Sequence, residues 1–222
     1  MTRLLYDLAG ADPDLRFSPF CWRTKLALAH KNLDYETVPW RFTDQDAIAF
    51  SGQNKVPVLV DGGQVVSDSQ DIADYLEETY AHEPPLYGEA PARALTGFVK
   101  AWAETVLQPA LMRVLAPDIF ARLDERDQDY FRTTREARLG CTLEELAARR
   151  EEFVAAFQAA LAPLLALLNE QDFLSGDAPG YADHIVFGAL QWAKLMSSTP
   201  LIAEDSLISV WMAAVLETYG LE

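Results

Sequence analysis

Cysteine is scarce: two residues, Cys21 and Cys141, in a chain of 222. That count excludes a Cys-rich metal site and leaves no disulfide framework to hold the fold. Positive charge is scarce as well. With 18 Lys and Arg against 34 Asp and Glu, the net charge of -16 opposes phosphate backbones and anionic surfaces over most of the molecule, and neither nucleic acid nor a membrane is an expected partner. Long apolar runs are missing too, since the longest, at 157–168, is interrupted by Gln158 and Pro163 and falls short of the roughly 20 residues that span a bilayer. The first seven residues mix Arg3 and Asp7 with apolar positions and lack the grammar of a secretory leader, which makes a cytoplasmic location the expectation.

What the chain does have is apolar material, 50% of its residues, enough for a buried core. It is written in two grammars. Over 1–80, short β-like runs alternate with helical patterns, the mark of an α/β unit. LLYDL at 4–8 and DYETVPW at 34–40 read as strands flanking a helix over 19–30, with Pro19 in a tolerated first-turn position and Trp22, Leu26 and Ala29 on one face. A weaker helix follows at 43–50, VPVLVDGGQVV gives two strands joined at Asp61, Gly62 and Gly63, and a helix over 69–78 completes a βαβαββα order. Residues 81–91, rich in proline and without periodicity, read as a linker. Over 92–222 apolar residues recur at helical spacing in 92–114, 144–169, 183–197 and 207–219, which predicts an all-α bundle. Within the charged stretch 117–142 only a short helix at 131–139 is expected.

Three segments carry chemistry. In FSPFCWRTKLAL, Ser18 precedes Pro19 at the start of the first helix; the free N–H groups there favour an anion, and a serine hydroxyl can donate to a thiolate, or simply cap the helix. In NKVPVLV, Val56 precedes Pro57 at a strand entrance, either an ordinary strand-start proline or a cis bond that turns the Val56 backbone toward an extended ligand. In SDSQDIADYL, Asp68 and Ser69 open a helix, as an N-cap or as partners for the ammonium and carboxylate of an amino-acid end group. Cys21, three residues after Ser18, occupies the second place of a degenerate C-x-x-C whose first, nucleophilic place is serine, so a packing role is favoured over disulfide exchange.

In this order the segments resemble the glutathione transferase superfamily, and the resemblance covers essentially the whole chain. It implies a thioredoxin-like domain followed by a helical bundle, and glutathione as co-substrate, with no metal. Ser18 would hydrogen-bond the glutathione sulfur, Val56 beside Pro57 would pair with the cysteinyl backbone, and Asp68 with Ser69 would hold the γ-glutamyl end. Lys55 resembles the lysine that neutralises the glycine carboxylate in plant serine-type members, with Arg41 a second candidate. Trp102, Met112 and Phe120 are candidates for lining a site for a hydrophobic electrophile, in competition with core packing. In GYADHIVFGALQW, Asp183 stands where family members keep a buried capping box, but Gly180 replaces the usual Ser or Thr, and Asp183 reads as structural. The wording is closest to the branch of bacterial β-etherases and related fungal transferases. The resemblance therefore implies a cytoplasmic, detoxifying, homodimeric transferase, possible aryl-ether cleavage included. The alternatives are a non-catalytic glutathione and apolar-ligand binder, or a glutathione-dependent thiol reductase using Cys21.

Overall fold

The computed structural model describes residues 2–221. Strand β1 (Arg3–Leu8) leads through helix α1 (Pro19–His30) to β2 (Tyr35–Trp40), and β3 (Val58–Asp61) and β4 (Gln64–Ser67) form a hairpin before α2 (Ser69–Thr79). The sheet order is β2-β1-β3-β4, with β1 parallel to β2 and antiparallel to β3. Register pairs Leu5 with Thr37 on one side and with Leu59 on the other, and Asp61 with Gln64 across the Gly62 and Gly63 turn. This is a thioredoxin-like sheet in the expected order. The weak helix anticipated at 43–50 is a 3-10 helix, Gln45–Ser51, as suits a short segment whose one buried side chain is Ile48.

The helical half follows: α3 (Ala90–Trp102), α4 (Gln108–Arg122), α5 (Glu125–Leu139), α6 (Leu143–Ala148), α7 (Arg150–Ala160), α8 (Ala162–Leu168), α9 (Tyr181–Met196) and α10 (Leu207–Tyr219). The single helix expected at 92–114 is two helices joined by a π-helical turn, Ala103–Leu107. Pro109, which has no N–H to give the preceding turn, lies immediately beyond it. The run expected at 144–169 is three helices, and Pro163 in the first turn of α8 marks the second break. Arg150–Leu168 has the length and, at 1.5, the mean hydropathy of a membrane-crossing helix, but Phe153, Phe157, Leu161 and Leu164 face the core. Helix α5 is far longer than the segment at 131–139, because Asp124 caps it at its start, accepting from Arg126 N, and Gly140 ends it.

Helix α1 departs from the one-faced pattern expected of it. It is buried on almost every side, Arg23 and Lys25 included, because Leu5 and Leu59 of the sheet and Ile72 of α2 share a core with Ala27 and Leu28, and α9 packs on it as well. Buried charge is met locally: Lys25 Nζ lies 2.6 Å from Asp7, and Arg23 Nη1 lies 2.7 Å from Glu104 in the π turn. Gly188 lets α9 come this close, since a Cβ there would sit 2.3 Å from the Pro19 carbonyl oxygen. The segment at 81–91 is itself pinned: Leu86 and Tyr87 are buried, and the Leu86 carbonyl accepts from Tyr181 N at 2.8 Å.

Candidate functional site

A cleft of about 700 Å³ runs between the sheet domain and the helices α4, α5 and α9. Its first wall is built at chain turns. Ser18 is the N-cap of α1, nearly buried at 4% exposure, and its Oγ accepts from Cys21 N at 3.3 Å. Among the described residues its hydroxyl proton has no acceptor, so it is free to point at an anion in front of the helix. Beside it the Val56–Pro57 bond is cis, and the N–H and C=O groups of Asn54, Lys55 and Val56 make no hydrogen bond among the described residues. Asp68 N donates to Pro57 O at 3.3 Å, which fixes the start of α2 against this loop. Asp68 itself has a φ of 75°, a left-handed conformation unusual for aspartate, and its carboxylate caps Gln70 N at 2.8 Å. Ser18, Lys55, Val56, Pro57 and Asp68 all line the cleft.

Two expected residues stand apart from them. Ser69 is 2% exposed behind the wall, its carbonyl accepting from Tyr181 Oη at 2.7 Å. Arg41 is turned away: its Nε donates to Gly10 O at 3.1 Å and Nη2 to Ala11 O at 3.0 Å, with Asp124 at 4.0 Å. The β2 strand ends at Trp40, so the chain direction at 41 is set by the turn that follows, and that turn aims the guanidinium at a neighbouring loop. Cys21 is fully buried, with its Sγ toward Tyr6 O at 4.0 Å. Burial first, and then the Asp7 carboxylate, push its thiol well above the usual cysteine range, the opposite of what an attacking thiolate needs.

Of the second wall the sequence yielded Met112 alone. Tyr130, Phe131, Thr134, Arg135 and Arg138 of α5 line the cleft together with Gln108 and Met112 of α4 and Trp192 of α9. The α5 positions follow helical spacing, the clue that its charged composition hid. Phe42 completes an aromatic group, 5.8 Å from Phe131 and 5.9 Å from Tyr130. The group is held by Asp127, fully buried, whose Oδ1 accepts from Thr43 N at 2.9 Å and Thr43 Oγ1 at 2.6 Å. Of the three lining candidates only Met112 is in the cleft wall; Phe120 lies under the Arg132 guanidinium and Trp102 packs on both core clusters.

Asp183 is a structural anchor. Its Oδ1 accepts from Leu174 N and Trp211 Nε1, and its Oδ2 from Ser175 N and Gly180 N, at 2.8 to 3.1 Å. Gly180 supplies no side chain for the other half of the capping box, and Ser175 takes up the adjacent space: a Cβ at 180 would lie 2.7 Å from its Oγ.

The sequence matches two family descriptions in succession, the glutathione S-transferase N-terminal domain over residues 13–85 and the glutathione S-transferase C-terminal domain over residues 94–206. Among curated proteins, the glutathione S-transferase-like protein ustS of Aspergillus flavus is 33% identical over 142 residues, 57% of this chain and 49% of that protein. The chain thus spans about half the length of this curated relative. Among solved structures, glutathione transferase GSTFuA3 of Phanerochaete chrysosporium superposes with a TM-score of 0.87 at 26% identity, covering 99% of this chain and 97% of that one. A glutathione S-transferase of Ceriporiopsis subvermispora, solved in complex with glutathione, does so with a TM-score of 0.81 at 25% identity, covering 99% and 97%. With the C-terminal match alone taking in more than half of its length, and the sheet, the cis-proline loop and the helical half in their order, this chain belongs to the glutathione S-transferase family.

Proposed function

We propose that this chain is a glutathione transferase of the serine type, in which Ser18 stabilises the glutathione thiolate for attack on a hydrophobic electrophile. The observation that carries the reading is the convergence on one cleft of the Ser18 hydroxyl at a helix N-terminus, the unpaired Val56 backbone and the Asp68 carboxylate. An extended tripeptide would pair with Val56 as an added strand does. Its γ-glutamyl ammonium would meet Asp68 at the start of α2, with Ser69 supporting that turn, and Lys55 would meet its glycine carboxylate. Arg41 has no part in this arrangement. The sulfur then lies before α1, where the helix dipole and the Ser18 O–H both favour the thiolate over the thiol.

Chemically, the thiolate forms a C–S bond with the electrophile as the leaving group departs, and the thiol proton passes to solvent. Aryl-ether cleavage is the same displacement with an alkoxide or phenolate leaving, and the aromatic second wall suits either substrate. A thiol reductase using Cys21 is disfavoured by the burial of that thiol. A homodimer is part of the proposal, supported by the exposure of Phe50, Leu95 and Phe98, and sedimentation equilibrium tests it.

The test is thiolate absorbance near 240 nm on adding glutathione, followed by turnover of an aryl halide. Ser18→Ala is expected to lose the absorbance at neutral pH and roughly 100-fold or more in kcat/KM, in the range seen when a donor to a developing anion is removed. Glutathione binding with no turnover on any electrophile or aryl ether would favour the carrier reading; an undiminished thiolate in Ser18→Ala would remove the serine from the mechanism.

A further inference from the structure

The helical wall of the cleft carries donors that nothing among the described residues answers. Arg135 Nε, Gln108 Nε2 and Trp192 Nε1 are buried and have no hydrogen-bond partner among the described residues, and all three side chains line the cleft. Trp192 is only 5% exposed. A buried donor left unmet is costly and rare in a folded chain, and each one calls for an explanation. Three donors on one cavity, and no orphaned acceptor among its lining residues, point to a ligand that brings oxygen acceptors.

Charge gives the same direction independently. Lys55, Arg135 and Arg138 line the cleft, and none of them forms an ion pair among the described residues, although the chain holds 34 acidic side chains. Asp68 is the single acidic residue among those lining the cleft, and it stands on the opposite wall. The Arg135 guanidinium carbon lies 5.1 Å from the Phe42 centroid and 4.8 Å from that of Phe131, and Nη1 donates to Thr134 Oγ1 at 2.9 Å, so the planar group is held in place against two rings while its Nε stays unmet. Burial and then repulsion from Arg138 outweigh the influence of Tyr130 and hold the Arg135 pKa below the ordinary arginine value; an anion beside the pair would relieve that repulsion.

We infer that the second substrate of this chain is an aromatic acid, its ring seated among Phe42, Tyr130, Phe131 and Trp192 and its carboxylate held by Arg135 and Arg138. For its chemistry this rests on the glutathione reading, but for binding it does not. A suitable probe is 4-chloro-3-nitrobenzoate: the thiolate adds at the ring carbon bearing chlorine, the C–S bond forms, the C–Cl bond breaks and chloride leaves with the electron pair. Its methyl ester is the neutral control.

The experiment has two arms. In the first, calorimetry without glutathione compares 3-nitrobenzoate with its methyl ester; the acid is expected to bind about tenfold or more tightly, and equal affinities overturn the proposal. In the second, kcat/KM for the chloro acid and its ester, each divided by the uncatalysed rate, gives an acid preference. Arg135→Gln and Arg138→Gln are each expected to lower that preference about tenfold, with Arg135→Lys restoring part of it and the KM for glutathione unmoved. An unchanged preference in both variants, or a rise in the KM for glutathione that accounts for the whole loss, overturns it. Should Arg135→Gln fail to fold, the exposed Arg138 still decides the matter. Acid binding without any glutathione-dependent turnover would support the anion site while sinking the transferase reading, so the two fail separately.

Discussion

The wall of the cleft that belongs to the sheet domain takes its candidate ligand-binding groups from segments next to a helix start or a strand entrance: Ser18, the loop at 54–57, and Asp68. The opposite wall consists of long side chains from three separate helices, among them Gln108, Arg135 and Trp192. Turn chemistry specifies the first wall locally, because a helix cap or an X-Pro step dictates its own geometry wherever it occurs. Packing specifies the second. A tyrosine or arginine on α5 becomes part of a site only once Asp127 has tied that helix to Thr43. A local wall tolerates drift in sequence around it, while a packed wall can change its ligand by changing a few side chains.

Removing the anchor of the packed side should give the largest effect. Asp183→Ala strips an acceptor from four donors, two of them fully buried; at about 1–3 kcal/mol for each unmet buried donor, a loss of about 3 kcal/mol or more is expected in urea denaturation. A loss under about 1 kcal/mol would mean that the α9 start is held by something else. Next comes the joint between the two sides. Gly188→Ala drives a methyl into the Pro19 carbonyl, so a cost of about 1–3 kcal/mol is expected. Because Ser18 precedes Pro19, glutathione affinity should fall with it, and a variant that lost stability but bound glutathione normally would show the two walls to be independent.

A third test concerns pH. His184 is fully buried, with its Nε2 2.8 Å from Tyr219 Oη, and His30 Nδ1 meets the same hydroxyl at 2.8 Å. Burial first, and then the neighbouring His30, push His184 well below its ordinary 6.5, while burial lowers His30. Above 6.5 both histidines are neutral in the folded and the unfolded chain and contribute no slope. As the pH falls below 6.5 the unfolded chain takes up protons that the folded one refuses, so stability should fall by up to about 1.4 kcal/mol per pH unit for each histidine, until the folded pKa is reached. Thermal melting between pH 7 and pH 5 measures it; a flat Tm over that interval contradicts the assignment. The smallest effect is expected from Arg41→Gln, which should leave glutathione affinity within about twofold, a difference of under about 0.5 kcal/mol.

Much of the first wall was legible in the residues, since Ser18-Pro19, Val56-Pro57 and Asp68-Ser69 each mark a chain turn. Even there the reading had limits. That Ser69 is buried outside the cleft lining, with its carbonyl bonded to Tyr181, and that Arg41 reaches for the loop at Gly10 depends on neighbours distant in sequence. Along 92–114 and 144–169 the periodicity ran on through Pro109 and Pro163, and only the ladder of backbone hydrogen bonds reveals where a proline without an N–H opens it.

By itself the sequence determined the βαβ opening, the hairpin, the switch to helices and the turn-built cradle, because periodicity and capping act over a few residues and are written in them. Tertiary structure alone decided which face of α5 looks into the cleft, why Gly188 must be glycine, and which donors are left without partners. Those outcomes depend on how closely elements far apart in the chain approach one another, and close packing is a property of the assembled solid rather than of any one segment.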